Sequence, residues 1–187
     1  MSTVLLIVVA LFPISEILLA VFKRARAGAA QIEDRGSVRL LWAAIAVGVG
    51  AAIACKWVSS TRLVLPAWLY YALALGLILG GLSIRWISIL TLGRFFTVNV
   101  AIHADHAVVE TGVYRHVRHP SYAGLLLAFV GVGVSYANWA SLLALLAPIT
   151  FAVVNRIRTE EQALLQALGP AYAEYSARTK RLVPGLF

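Results

Sequence analysis

Apolar residues run along the chain in long blocks separated by short polar connectors. Each block can be weighed against the roughly 20 residues that a helix needs to cross a bilayer core of about 30 Å. The pattern predicts five spans: Val4 to Phe22, Val38 to Cys55, Pro66 to Ile84, Tyr122 to Trp139 and Ala140 to Val154. The first contains Pro13 and Glu16. Lys23, Arg24 and Arg26 follow it, a charge order that suits an uncleaved span and not a signal peptide. Trp68, Tyr70 and Tyr71 sit near one end of the third, where amphipathic rings favour the headgroup layer. Only Asn138 and a few small residues lie between the last two, which read as a tight helical hairpin whose second arm is short for a full crossing. Beyond it, Leu164, Leu165, Leu168, Tyr172 and Tyr175 recur at helical spacing. They predict an amphipathic helix that leaves the membrane and lies along it, broken at Gly169-Pro170. The expected fold is therefore an all-α integral membrane protein of about five transmembrane helices, the last two a hairpin, with a cytoplasmic C-terminal amphipathic helix.

Composition agrees. Of 187 residues 61% are hydrophobic and 13% charged, against roughly 25% charged in a soluble domain. No linker, low-complexity tract or repeat divides the chain, so residues 1–187 read as one domain. The lone Cys55 reads as a small buried hydrophobe. Five spans put 23–39, 85–118 and 156–181 on one side of the membrane, and that side holds 14 of the 16 Lys and Arg residues; Lys56 and Arg62 lie on the other. The positive-inside rule makes the first side cytoplasmic and leaves the N-terminus outside. This asymmetry accounts for the net charge of +8 without nucleic acid; anionic lipid headgroups are the expected partners of the basic residues.

Chemistry concentrates on the cytoplasmic side. The first loop, KRARAGAAQIEDRG, reads as a solvated link. The connector from Thr91 to Pro120 holds all four histidines, as His103-x-x-His106 and His116-x-x-His119, with Asp105 and Glu110 between. Such pairs can converge on zinc, but the spacing is loose and no cysteine helps, so separate headgroup-layer histidines are the preferred reading and no metal site is assigned. The stretch YRHVRHPSYAG, residues 114–124, is more pointed. Pro120 suits the first turn of a helix and places His119 at its entrance, where free N–H groups and the positive dipole end favour an anion. Gly124, one turn in, leaves room for a ligand or another helix to approach the backbone. A second cluster follows the last apolar span: Arg156 and Glu160 are four apart, Arg158 and Glu161 three apart, at the depth of His119. Two charged clusters distant in sequence thus face one membrane level.

G-V-Y-R-x-V-R-H-P-S-Y-A-G, followed after two apolar helices by R-I-x-x-E-E-x-x-L-x-x-x-x-G-x-x-Y, resembles the isoprenylcysteine carboxyl methyltransferase family and its wider relatives among membrane phospholipid methyltransferases. The resemblance runs from about Leu92 to Pro184, with Val113 where relatives often have proline. It implies S-adenosylmethionine (SAM) as methyl donor, held at the cytoplasmic face by 91–187, while 1–90 supplies three spans. Tyr114, His119, Tyr122, Gly124, Glu160 and Glu161 are the implied cofactor contacts. Arg156, by motif register, would hold the acceptor's carboxylate; Arg158 is the alternative, about 100° away for each residue of helix between them. The implied acceptor is a lipophilic small molecule or lipidated peptide, isoprenylcysteine-like, and the expected location a bacterial inner membrane. Gly76, Gly80 and Gly81 in the third span either open a lateral path for it or allow close helix packing, with packing preferred. Arg85 and Arg94 read as headgroup anchors first and substrate-positioning groups second, and Arg115 and His116 as anchors. Competing readings are an N-methyltransferase of ethanolamine-type phospholipids and a non-catalytic small membrane protein.

Overall fold

The structure is a computed structural model and describes residues 12–19, 31–34, 36–96, 100–102 and 107–185. Helix α1 covers 12–19, followed by strand β1 (Gln31–Asp34), α2 (Gly36–Cys55), α3 (Ala67–Leu92), strand β2 (Val100–Ile102), α4 (Pro120–Ser135), α5 (Trp139–Leu168) and α6 (Pro170–Arg178). Three of these, α2, α3 with the turn after it, and α5, are long and apolar enough to cross a membrane. The expected first span lies mostly outside the described residues. At 16 residues α4 is about 24 Å long, short of a full bilayer core.

Three expectations change. The third helix does not stop at Ile84 but runs two turns further to Leu92, because Arg85 is buried inside the bundle and does not mark a water-facing end. The fifth helix is continuous for 30 residues, and the predicted separate amphipathic helix is its second half. No glycine or proline interrupts it between Val154 and Leu168, so polarity there marks a change of depth and not a turn. The break comes at Gly169, whose φ of 54° only glycine adopts easily, and Pro170 then opens α6. Tyr172 and Tyr175 therefore belong to a different helix from Leu164, Leu165 and Leu168. Finally, the fold is not wholly α: β1 and β2 pair antiparallel, Gln31 opposite Ile102 and Asp34 opposite Val100, with an irregularity between Ile32 and Asp34. Strands of four and three residues are too short to show as alternation in the sequence.

The α4–α5 hairpin is fixed at its tip. Asn138 caps α5 by accepting from the Ser141 N–H at 3.0 Å, and its amide donates to the carbonyls of Val58 and Cys55 at the end of α2. Thr61 Oγ1 donates to the same Asn138 oxygen, and Ser141 Oγ to the Ala52 carbonyl. Exposed Trp57, Trp68 and Trp139 ring this end, as a headgroup belt would.

Between the ends, Ala74, Ile78, Leu125, Ala128, Phe129, Leu145, Ile149 and Val153 form the core, while Val47, Ile53, Leu79, Leu90 and Phe151 point outward. Close approach of α3 to α4 depends on glycine. A Cβ on Gly81 would lie 2.5 Å from the Gly124 carbonyl oxygen and the Ala128 nitrogen; one on Gly124 would lie 2.5 Å from the Gly81 oxygen. Gly76 and Gly80 face open space and take no part in this crossing.

Candidate functional site

The two sequence clusters meet at the end of the bundle opposite the hairpin tip. Pro120 is the first residue of α4 and carries no N–H; the amides of Tyr122 and Ala123 both donate to the His119 carbonyl. The expected anion site at this entrance is thus closed on itself apart from Ser121. What matters is where the side chains of this turn go.

Tyr122 turns toward α5. Its hydroxyl accepts from Arg156 Nε at 2.6 Å and donates to Glu160 Oε2 at 2.8 Å, so it links the two charged groups. Arg156 is buried and also donates from a terminal nitrogen to Ser37 Oγ of α2 at 2.8 Å. His119 turns the other way, its Nε2 3.3 Å from Glu161 Oε1. Glu161 also accepts from Arg118 Nε at 2.9 Å and from Arg181 Nε and a terminal nitrogen at 2.9 and 2.8 Å. Adjacent glutamates on a helix diverge by about 100°, so Glu160 and Glu161 serve two different networks.

The tail after α6 completes the second network. It runs beside the strand-like residues before α4, with the Arg118 N–H on the Lys180 carbonyl and the His119 N–H on that of Arg181. Arg118 donates in addition to the carbonyls of Ser176 and Thr179, and the Tyr175 hydroxyl to that of Tyr114. Burial holds the Tyr175 hydroxyl protonated to about 12. Burial, reinforced by Glu160 at Tyr114 and by Glu161 at Tyr172, pushes those two phenols higher still. All three are neutral at any working pH.

Two cavities flank these networks. One, of about 290 Å³, is lined by Arg118, Arg158, Glu161, Gln162, Tyr172 and Arg181, with Leu165 and Ser176. Tyr172 lines it, and its buried hydroxyl has no hydrogen-bond partner among the described residues. The other, of about 50 Å³, has apolar walls from Leu19, Val38, Leu41, Trp42, Ile45 and Leu125, and Glu16, Arg85, Ser121, Tyr122 and Arg156 supply its polar lining.

Several expectations are corrected here. Gly124 lines neither cavity and packs against the α3 backbone, the helix-approach alternative of its sequence reading. Gly124→Ala is accordingly expected to cost about 1–3 kcal/mol by overpacking, read as a lower unfolding midpoint in detergent; an unchanged midpoint would contradict the packing role. Arg156 and Arg158 part company: Arg156 is buried beside the apolar cavity, whereas Arg158 is exposed and lines the charged one. Arg85 is not a headgroup anchor. It is buried, with Nε and a terminal nitrogen on the two Glu16 oxygens at 2.5 and 2.6 Å. Arg94, Arg115 and His116 are exposed, in keeping with their anchor reading, while His103, Asp105 and His106 lie outside the described residues. Sequence reasoning assigned no site role to Arg118, Arg181, Ser37, Tyr172 or the Glu16–Arg85 pair. Arg118 and Tyr172 lay inside the quoted motifs, and Glu16, a charge inside an apolar block, called for a partner.

Comparison with known proteins bears on these clusters. The isoprenylcysteine carboxyl methyltransferase (ICMT) family matches residues 73–166, which include Arg85, the R-H-P-S-Y turn and both glutamates. Protein-S-isoprenylcysteine O-methyltransferase B of Arabidopsis thaliana is 36% identical over 119 residues, 63% of this chain and 60% of that protein. Protein-S-isoprenylcysteine O-methyltransferase A of the same plant is 38% identical over 110 residues, 58% of this chain and 56% of that protein. The matches thus span less than two thirds of these relatives. The solved structure of the eukaryotic intramembrane Ras methyltransferase ICMT superposes with a TM-score of 0.60 over 95% of this chain and 64% of that one, at 24% identity, and so shares its fold. With half of its length matched, including the paired charged clusters, this chain belongs to the isoprenylcysteine carboxyl methyltransferase family.

Proposed function

We propose that the chain is a SAM-dependent membrane methyltransferase, transferring a methyl group to the carboxylate of a lipophilic, isoprenylcysteine-like acceptor at the cytoplasmic membrane face. The observation that carries this reading is the Tyr122 hydroxyl bound between Arg156 and Glu160, with an apolar cavity lined by Tyr122 and Arg156 and a charged cavity lined by Glu161 of the neighbouring network. Opposite demands are met on the two sides: an oily acceptor with one negative charge, and a soluble donor with a zwitterionic end.

The charged cavity fits SAM by the chemistry of its lining. An amino-acid end needs donors for its carboxylate and acceptors for its ammonium; Arg118, Arg158 and Arg181 of the lining are the donors, Glu161 and Gln162 the acceptors, and Glu160, next to Glu161 on α5, is the further carboxylate of the cluster. Buried polar atoms are nearly always paired; the Tyr172 hydroxyl, on a side chain that lines this cavity, has no partner among the described residues, and a ligand there would supply one. Tyr114, His119 and Tyr122 complete the residues that would hold the cofactor. When bound, SAM supplies a methyl group on a positively charged sulfur.

The protein's own part is positioning. Arg156 holds the acceptor's carboxylate, itself oriented by Tyr122 and Ser37. A carboxylate is ionised near neutral pH, so no residue has to remove a proton. The apolar walls from Val38, Leu41 and Ile45 exclude water from the two opposite charges that neutralise one another as the methyl moves.

Calorimetric titration of SAM into detergent-purified protein tests the reading. Wild type is expected to bind, with His119→Ala and Glu160→Ala each weakening binding about tenfold or more, the loss of a charge-assisted bond. No binding by folded wild type would sink it. Radiolabelled methyl transfer to N-acetyl-S-farnesylcysteine, and not to an ethanolamine phospholipid, separates O- from N-methylation.

A further inference from the structure

The apolar cavity already contains a carboxylate. Glu16 of α1 grips Arg85 with both oxygens, at 2.5 and 2.6 Å, and both residues line the cavity that Arg156 and Tyr122 also line. We propose that Glu16 is a built-in occupant of a seat for the acceptor's carboxylate on Arg85, which the acceptor must displace to bind. This rests on the methyltransferase reading, and adds to it a second arginine for the acceptor and a competitor supplied by the chain itself.

Three observations support the exchange. First, Arg85 is held by two independent sets of bonds. Its Nε and one terminal nitrogen face Glu16, while the other terminal nitrogen donates to Ser121 Oγ at 2.9 Å and the Ser121 carbonyl at 3.2 Å. When Glu16 leaves, Ser121 keeps the guanidinium aimed, and the edge that suits a planar carboxylate is released. Second, the apolar anchors of the described part of α1 flank Glu16 and do not depend on it. Phe12 and Leu19 are the buried apolar side chains among residues 12–19, and Phe12 meets Phe129 edge-on at 4.9 Å, while Ile14, Ile17 and Leu18 face outward. Third, the cavity is small, about 50 Å³ with Glu16 as part of its wall, so moving that side chain is the natural way to enlarge it.

The exchange also answers an energetic difficulty. Bringing a charged headgroup into an apolar cavity, or leaving Arg85 there alone, is costly. Replacing one carboxylate by another keeps Arg85 paired in both end states, while the displaced Glu16 carboxylate turns to water or the headgroup layer or takes up a proton. The device therefore tunes selectivity: an acid can replace Glu16 and its methyl ester cannot, so a methylated product is readily expelled.

The test measures binding of N-acetyl-S-farnesylcysteine and of its methyl ester to detergent-purified wild type, Glu16→Gln and Glu16→Gln/Arg85→Met. Removing the internal competitor is expected to tighten acid binding by about 5- to 30-fold and ester binding by less than about twofold, since an apparent affinity rises by the fraction of seats freed. The double variant is expected to lose that gain. Glu16→Asp, which keeps the charge but shortens its reach, is expected to give a smaller gain in the same direction and stands in should Glu16→Gln fail to fold. Unchanged or weaker acid binding in the folded Glu16 variants would overturn the proposal, since a merely structural ion pair predicts that result. Acid binding by none of the proteins while SAM still titrates overturns the seat and leaves methyl transfer standing. A Glu16-dependent gain without SAM binding supports the seat and sinks methyl transfer.

Discussion

Replacing Arg156 by alanine is expected to lower methyl transfer by about 10²- to 10⁴-fold, the largest loss for any single site in the cluster. The guanidinium donates to the Tyr122 hydroxyl at 2.6 Å and to Ser37 Oγ at 2.8 Å from a buried position. In the proposed function it also holds the acceptor's carboxylate. A hydrogen bond to a charged group contributes about 1.5–3 kcal/mol, and losing the acceptor's grip together with Tyr122's alignment totals about 3–5 kcal/mol, or two to four powers of ten in rate. Arg156→Lys is expected to lose about 10- to 100-fold, because an ammonium keeps the charge but not the planar fork that reaches Tyr122, Ser37 and a carboxylate together. Tyr122→Phe keeps the arginine but cuts its link to Glu160, and is expected to cost about tenfold. The readout is radiolabelled methyl transfer at saturating acceptor, with unfolding midpoints as the control for folding. Arg156→Ala activity within about threefold of wild type, in folded protein, would remove this residue from the reaction.

This ordering shows what the sequence could convey. The hydropathy of α2 and α3, the proline opening α4 and the meeting of R-H-P-S-Y with R-I-x-x-E-E are local patterns, or pairs of them, and the structure brings them together. Arg156 and Arg158 looked equivalent because a helix rotates about 100° per residue and the facing helix was unknown. Once α5 is placed, Arg156 points into the bundle and Arg158 out. Gly124 was ambiguous for a related reason: a missing Cβ admits a ligand or a backbone, and only the position of Gly81 decides. The continuity of α5 was hidden because a run of charges after an apolar block resembles a helix end at the water surface. The roles of Arg118, though it lies in the R-H-P-S-Y motif, and of Arg181 were hidden, since they arise from the tail pairing with the segment before α4, a contact between residues 60 or so apart that no periodicity announces.

That tail contact sets the second large effect. Removing the Glu161 carboxylate is expected to release the C-terminal segment from the bundle. Three cationic or potentially cationic groups, Arg118, His119 and Arg181, converge on it, and the carboxylate is the acidic partner that each of their ion pairs uses. The contacts are unequal. Arg118 and His119 have side chains only 10% and 3% exposed, whereas Arg181 is 38% exposed and screened by water. Leaving a buried cation without its partner costs about 3–5 kcal/mol. Arg118 keeps the carbonyls of Ser176 and Thr179, so about 2–4 kcal/mol is expected for Glu161→Ala and less for Glu161→Gln, whose amide oxygen still accepts. Arg181→Ala, by its exposure, is expected to cost under about 1 kcal/mol. Hydrogen exchange locates the damage: the amides of Arg118 and His119, which donate to the carbonyls of Lys180 and Arg181, should exchange faster in Glu161→Ala, while α3 and the core of α4 stay protected. Protection of those two amides at the wild-type level would mean that the backbone pairing, and not the carboxylate, holds the tail. Glu161 would then be left as a ligand for the cofactor's ammonium, and Glu161→Ala would weaken SAM binding without loosening the fold.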